Sequence, residues 1–382
     1  MKYIKNKFFI IGLVIVLAVS IGVFYESFYH QVWSEHIYGV SDVPLHVNFI
    51  IKSEKVGAFP LYSIWFYLVY IISFMSNSYK ILAYTSIVLL SVFVIFKYLI
   101  TYIIISDGSN KKWLVATVST LMIFAMPIIS FFNSPRRYTH IYLGNISPNI
   151  WHNSTLIFAM PFYIMLFSYS INKILSFRNK DIIIIATLFM VATLCKPNFI
   201  LAFAPVFFIV SFWYILFNER KTINICKVST IGICICAILL IQFISTFMHN
   251  EIFPKVSTGI APLKVWSLYS PHILLSCLLS FTFPVSVTLL YMTKVIYEKE
   301  ILLSWLTVFI ATMMFAVFIQ YPDWQSANFV WGAIAANYIL FVYCVKFLIN
   351  QKIDYKSIVC YMIFIMHFIS GFIFFKNYSL TF

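Results

Sequence analysis

Residues 142–155 read Tyr142-Leu143-Gly144-Asn145-Ile146-Ser147-Pro148-Asn149-Ile150-Trp151-His152-Asn153-Ser154-Thr155. One Gly, one Pro, three Asn and a Trp-His pair interrupt a chain that is 62% hydrophobic and 10% charged. Apolar runs flank the stretch at 113–132 and 156–171, so its placement decides the fold. Two readings are open. The stretch is an ordinary connection between two membrane helices, or a re-entrant segment lining a substrate site. Irregular backbone survives at membrane depth only where protein or a wet cavity covers it.

Working outward, further apolar runs lie at 8–25, 59–75, 81–105, 182–195, 199–217, 228–247, 272–292, 301–319, 329–349 and 357–375. A helix of ~20 apolar residues spans the ~30 Å hydrocarbon core. The expected fold is all-α, a polytopic transmembrane bundle of about eleven crossings (ten to twelve) by this length rule. No long polar segment exists to build a soluble domain, so 1–382 reads as a single integral membrane domain. Its outer-face loops lie near 26–58, 133–155 and 248–271.

The net charge of +14 is not a nucleic-acid footprint, because the 26 Lys and Arg sit mainly in short loops between apolar runs. That is the positive-inside pattern. It places 107–112, 172–181, 218–227, 294–300 and 350–356 in the cytoplasm and 26–58, 133–155, 195–198, 248–271 and 321–328 outside. Lys2, Lys5 and Lys7 precede the first run and put the N-terminus in the cytoplasm of an inner-membrane protein. One conflict arises. If 59–75 and 81–105 both cross, the alternation breaks, so one segment must be re-entrant or half-crossing, or the loop at 107–112 breaks the rule.

None of the seven cysteines has zinc-site spacing, and no disulfide framework is expected. The twelve acids divide evenly. Asp107, Asp181, Glu219, Glu298, Glu300 and Asp354 sit among inner-face cations, and Glu26, Glu35, Asp42, Glu54, Glu251 and Asp323 fall outside. None lies mid-helix, which argues against a carboxylate proton relay of the pump type. Seven of eight histidines are also at outer positions, with only His367 in a span.

An outer loop bearing Asp42, followed by an apolar run opening Phe59-Pro60-Leu61-Tyr62, resembles the polytopic GT-C glycosyltransferases. Many members carry two adjacent acids in that loop, where this chain has Asp42 alone. The resemblance implies sugar transfer on the outer face from a polyprenyl-phosphate-linked donor to a saccharide or lipid-linked saccharide acceptor, in surface-polysaccharide assembly. Size and composition are also similar to O-antigen and capsule polymerases, the nearest alternative. A lipid-linked saccharide flippase or transporter is the second.

The residue types suit such chemistry. One carboxylate can take the acceptor proton, and a phosphate leaves without an acid. Asp42 is the first candidate base and Glu35 the reserve; Pro44 also allows Asp42 to be no more than a helix cap. Candidate substrate contacts are His46, Arg136, Arg137, His140, Trp151, His152, Asn153, Lys196, Asn198 and Asp323. The cations would meet phosphate, and Trp151 with His152 would meet sugar. No cofactor is expected and no metal set has ligand spacing. Lys196 follows a run of only 14 residues, 182–195, a rise of ~21 Å. It therefore falls below the outer headgroups, where it either snorkels or binds phosphate from a wet cavity.

Overall fold

A computed structural model describes residues 6–33, 41–59, 61–129, 141–174, 178–217, 221–245 and 256–380, without side chains at 27–33, 141–142, 221–223 and 376–380. Glu35, Arg136, Arg137 and His140 lie outside the described residues.

Helices dominate, as the apolar runs predict. In order they are α1 (Lys7–Trp33), α2 (Val43–Val56), α3 (Trp65–Ile72), α4 (Tyr79–Ser106), α5 (Lys112–Phe124), α6 (Ile141–Gly144), α7 (Ser154–Lys173), α8 (Asn179–Cys195), α9 (Asn198–Leu216) and α10 (Lys221–Phe243). There follow β1 (Ser257–Ile260), α11 (Lys264–Tyr269), α12 (Ile273–Leu290), α13 (Met292–Val295), α14 (Lys299–Val317), β2 (Phe318–Tyr321), α15 (Val330–Asn350) and α16 (Tyr355–Leu380). The two strands pair antiparallel, Ser257 opposite Tyr321. Among the described residues nine helices are long and apolar enough to cross a membrane: α1, α4, α7, α9, α10, α12, α14, α15 and α16.

The run 59–75 does not become a crossing. It holds only α3, whose eight residues rise ~12 Å. The chain then turns at Phe74 and Met75, both with positive φ, and enters α4. Before it, α2 starts with Pro44 in its first turn and ends on Gly57 at φ 72. Val43, Val47 and Ile50 bury one face of α2, and Lys52 and Lys55 stay exposed.

α15 is the hub. In its most apolar 18-residue window α15 is 94% buried, against 17% for the corresponding window of α10. A helix apolar on all sides belongs inside other helices. Gly332 lets α15 meet the start of α9 backbone to backbone; a Cβ there would stand 2.7 Å from the Asn198 carbonyl oxygen.

Contacts sort the loops into two ends. At one end Lys346 pairs with Asp107 at 2.9 Å, Lys111 reaches the Ile349 carbonyl at 2.9 Å, and Lys294 reaches Gln351 at 2.7 Å. At the other, the Asp42 amide bonds the His152 carbonyl at 2.9 Å, Ile64 bonds Leu194 at 2.9 Å, and Asn198 bonds Asn328 at 2.7 Å. The basic loops 107–112, 294–300 and 350–356 thus gather apart from Asp42, His152 and Lys196.

Candidate functional site

The stretch 145–153 is not a surface connection. Asn145, Ser147, Asn149 and Asn153 are all buried, and the backbone between α6 and α7 is irregular. Protein covers it as buried polar backbone requires. Ile146 donates its amide to Ser280 of α12 and accepts from Asn337 of α15. The segment delivers Asn153 to the N-cap of α7, where its side-chain oxygen accepts from the Leu156 amide at 2.9 Å.

That oxygen is heavily used. It also accepts from Lys196 Nζ at 2.8 Å and from Thr155 Oγ1 at 3.0 Å. With three donors on the oxygen, the amide cannot flip without placing its NH2 against donors. Its nitrogen must face the other way. There it donates to Asp42 Oδ2 at 2.6 Å. Asp42, Asn153 and Lys196 form one chain across 154 residues of sequence.

Asp42 does occupy the N-cap of α2, but its carboxylate makes no capping bond. Ser41 takes that task, its hydroxyl accepting from the Val43 amide. The carboxylate is half-buried and aimed at Asn153. Burial raises its pKa above the usual carboxylate range, opposed by the Lys196 charge and the Asn153 hydrogen bond. Burial in turn lowers the Lys196 pKa, and the Asp42 charge holds it up. Tyr62, from the Phe-Pro-Leu-Tyr element, is raised by burial and then by the Asp42 charge, which places its hydroxyl in the field of the carboxylate.

Lys196 is carried by a helix end with all its orphan carbonyls satisfied. Gln242 donates to Thr193 O, Ile64 to Leu194 O, Ser63 to Cys195 O and Tyr163 to Lys196 O. The residue is extended (φ −171), as one before proline should be. Its ammonium turns inward, to Asn153 and Thr155, and lies 5.3 Å from the centroid of Trp331. Two hydrogen bonds and an aromatic face hold the group inside the protein, beside Asn153.

No protein-family model matches the chain, and no curated protein matches it.

Of the remaining described candidates, His46 and His152 lie beside the Asp42–Asn153–Lys196 chain. His46 meets Ser154 through Nδ1 and packs on Phe49 and Phe66; burial pushes its pKa down to about 3, so the ring is neutral. Trp151 is core: Phe124 stacks on it at 5.8 Å, and Phe24 and Phe375 enclose it, leaving no face for a sugar. His152 contributes its carbonyl to Asp42 and its ring edge to Trp331. Asn198 ties α9 to the Asn328 carbonyl. Asp323 is exposed on the turn after β2, outside the Asp42 chain. Sequence reading missed Thr155 and Trp331. Neither carries a signal of its own in a chain with 20% aromatic residues. Among the described residues no group of three His, Cys, Asp or Glu is placed to hold a metal.

Proposed function

We propose that this chain is a membrane-embedded glycosyltransferase of GT-C-like layout, working at the bundle end that holds Asp42. The donor is a polyprenyl-phosphate-linked saccharide and the acceptor a saccharide or lipid-linked saccharide hydroxyl. The observation that carries the reading is the Asp42–Asn153–Lys196 chain: a half-buried carboxylate, oriented by an amide that cannot flip, with a buried ammonium behind it. A structural acid would more simply be capped or ion-paired.

Asp42 takes the proton of the acceptor hydroxyl as its oxygen attacks the anomeric carbon. The bond from that carbon to phosphate breaks, and the phosphate leaves carrying the electron pair. Lys196 keeps the carboxylate ionised and aligned. Counting α5 and α8 with the nine long helices gives eleven crossings, with α3 half-crossing and the basic end cytoplasmic.

The test is transfer from a defined polyprenyl-phosphate-linked donor by the full chain in nanodiscs. Asp42→Asn should lower product formation by about 10²- to 10⁴-fold, the usual worth of a general base. Glu54→Gln, at the far end of α2, should leave it within about twofold. Full activity in Asp42→Asn would overturn the assignment. Products longer than one added unit would mean a polymerase. Donor movement between leaflets with no new glycosidic bond would mean a flippase.

A further inference from the structure

Lys97 has no part in the proton transfer described above. It sits deep in α4 with 6% of its surface exposed, inside the apolar run 81–105. A lysine at that depth costs ~2.5–3.5 kcal/mol on insertion scales. Among the described residues no carboxylate pairs with it. Its Nζ donates to Asn149 Oδ1 at 2.6 Å and stands 3.6 Å from the centroid of Tyr338 on α15.

Asn149 is fixed in turn. Its amide nitrogen donates to the Met122 carbonyl at 2.8 Å and the Ala125 carbonyl at 2.7 Å, at the C-terminal end of α5. Only its oxygen is left to face Lys97. The end of α5 carries the negative pole of the helix dipole, which favours an ammonium nearby.

The same unit recurs four residues later. Asn153 accepts from Lys196, and Lys196 lies over Trp331. Trp331 and Tyr338 are two turns apart on one face of α15, ~10 Å along its axis. A lysine, an asparagine and an aromatic ring therefore pin each end of 149–153. Within that pinned span, the His152 carbonyl takes the Asp42 amide and Asn153 takes the Asp42 carboxylate.

We propose that Lys97 is a positioning residue for Asp42: by clamping Asn149 it fixes the segment 149–153, and through His152 and Asn153 that segment fixes the carboxylate. The reactive role of that carboxylate rests on the transferase reading; the clamp itself does not.

Hydrogen exchange read by mass spectrometry tests the clamp without any enzymatic assay. In full-length Lys97→Met, peptides covering 41–46 and 149–153 should exchange about tenfold faster, and α14 peptides should not change. Lys97→Gln still donates to Asn149 and should stay within about threefold of wild type. In parallel transfer assays Lys97→Met should lose about 10- to 100-fold in kcat with donor KM nearly unchanged, since misplacement and not binding is at fault. If Lys97→Met does not accumulate, Asn149→Ala breaks the same link and should speed exchange at 41–46. Wild-type exchange at 41–46 in whichever variant folds overturns the proposal. So does faster exchange throughout the bundle, which would make Lys97 a general packing residue. Exchange as expected in a protein that transfers no sugar would retain the clamp and overturn the transferase reading.

Discussion

At the scale of the residue, the site is governed by the field around one carboxylate. Burial raises the Asp42 pKa, and the Lys196 charge and the Asn153 amide pull it back. A base works only when ionised, so activity should fall as pH drops through a value above the ordinary carboxylate range. The sign for Lys196→Met follows: without the ammonium the Asp42 pKa rises further, and the acid limb of kcat moves to higher pH. Lys196→Arg keeps the charge and should move the limb less. A pH–rate profile of the three proteins checks this, and an unmoved limb in Lys196→Met would remove Lys196 from the site. Asn153→Leu should be worse than either, because it takes a hydrogen bond from both Lys196 and Asp42; we expect a ~1–3 kcal/mol stability loss in thermal melts. Asp42, Asn153 and Lys196 were legible as polar residues out of place in greasy surroundings. Their order of contact was not: nothing in the sequence reveals that Asn153 and Thr155 lie beside Lys196.

At the scale of the element, apolar length located the spans but not the short helices between them. The run 59–75 has the length of a candidate crossing because Phe59, Leu61, Tyr62 and Ile64 are apolar, and the sequence leaves open whether it crosses. In the structure they belong to the turn that leads into α3, where Ser63 and Ile64 cap the carbonyls ending α8. That pairing is non-local, and periodicity carries no trace of it. α8 itself starts at Asn179, three residues earlier than the apolar run, because Arg178 and Asp181 bond across its first turn. Gly332 is the other silent element. It reads as an ordinary glycine in a span, yet α15 depends on it to approach Asn198. Gly332→Ala should cost about 1–3 kcal/mol by overpacking, visible as a lower melting temperature in detergent. Because Trp331 is its neighbour and carries Lys196, donor turnover should fall too; unchanged melting would mean that α9 gives way freely.

At the scale of the whole molecule, charge asymmetry and contacts give the same partition. The basic loops 107–112, 294–300 and 350–356 meet through Lys346–Asp107, Lys111–Ile349 and Lys294–Gln351, and the acid- and Asn-bearing loops meet at the opposite end. In the proposed topology a half-crossing α3 makes the two agree. With α3 too short to cross, one crossing, α4, separates residue 41 from residue 110. Were α3 a full crossing, two would separate them and both would face the same side. Single cysteines introduced by Ser41→Cys, Asn110→Cys, Asn179→Cys and Ser257→Cys in a cysteine-free background decide it. An impermeant thiol reagent added to intact cells should label positions 41 and 257. It should reach positions 110 and 179, both exposed, the second at the start of α8, only after permeabilisation. Labelling of 110 from outside would make α3 a crossing and place the basic loop 107–112 on the wrong side. Labelling of 179 from outside would invert the whole chain, and with it the face on which Asp42 would meet a lipid-linked donor.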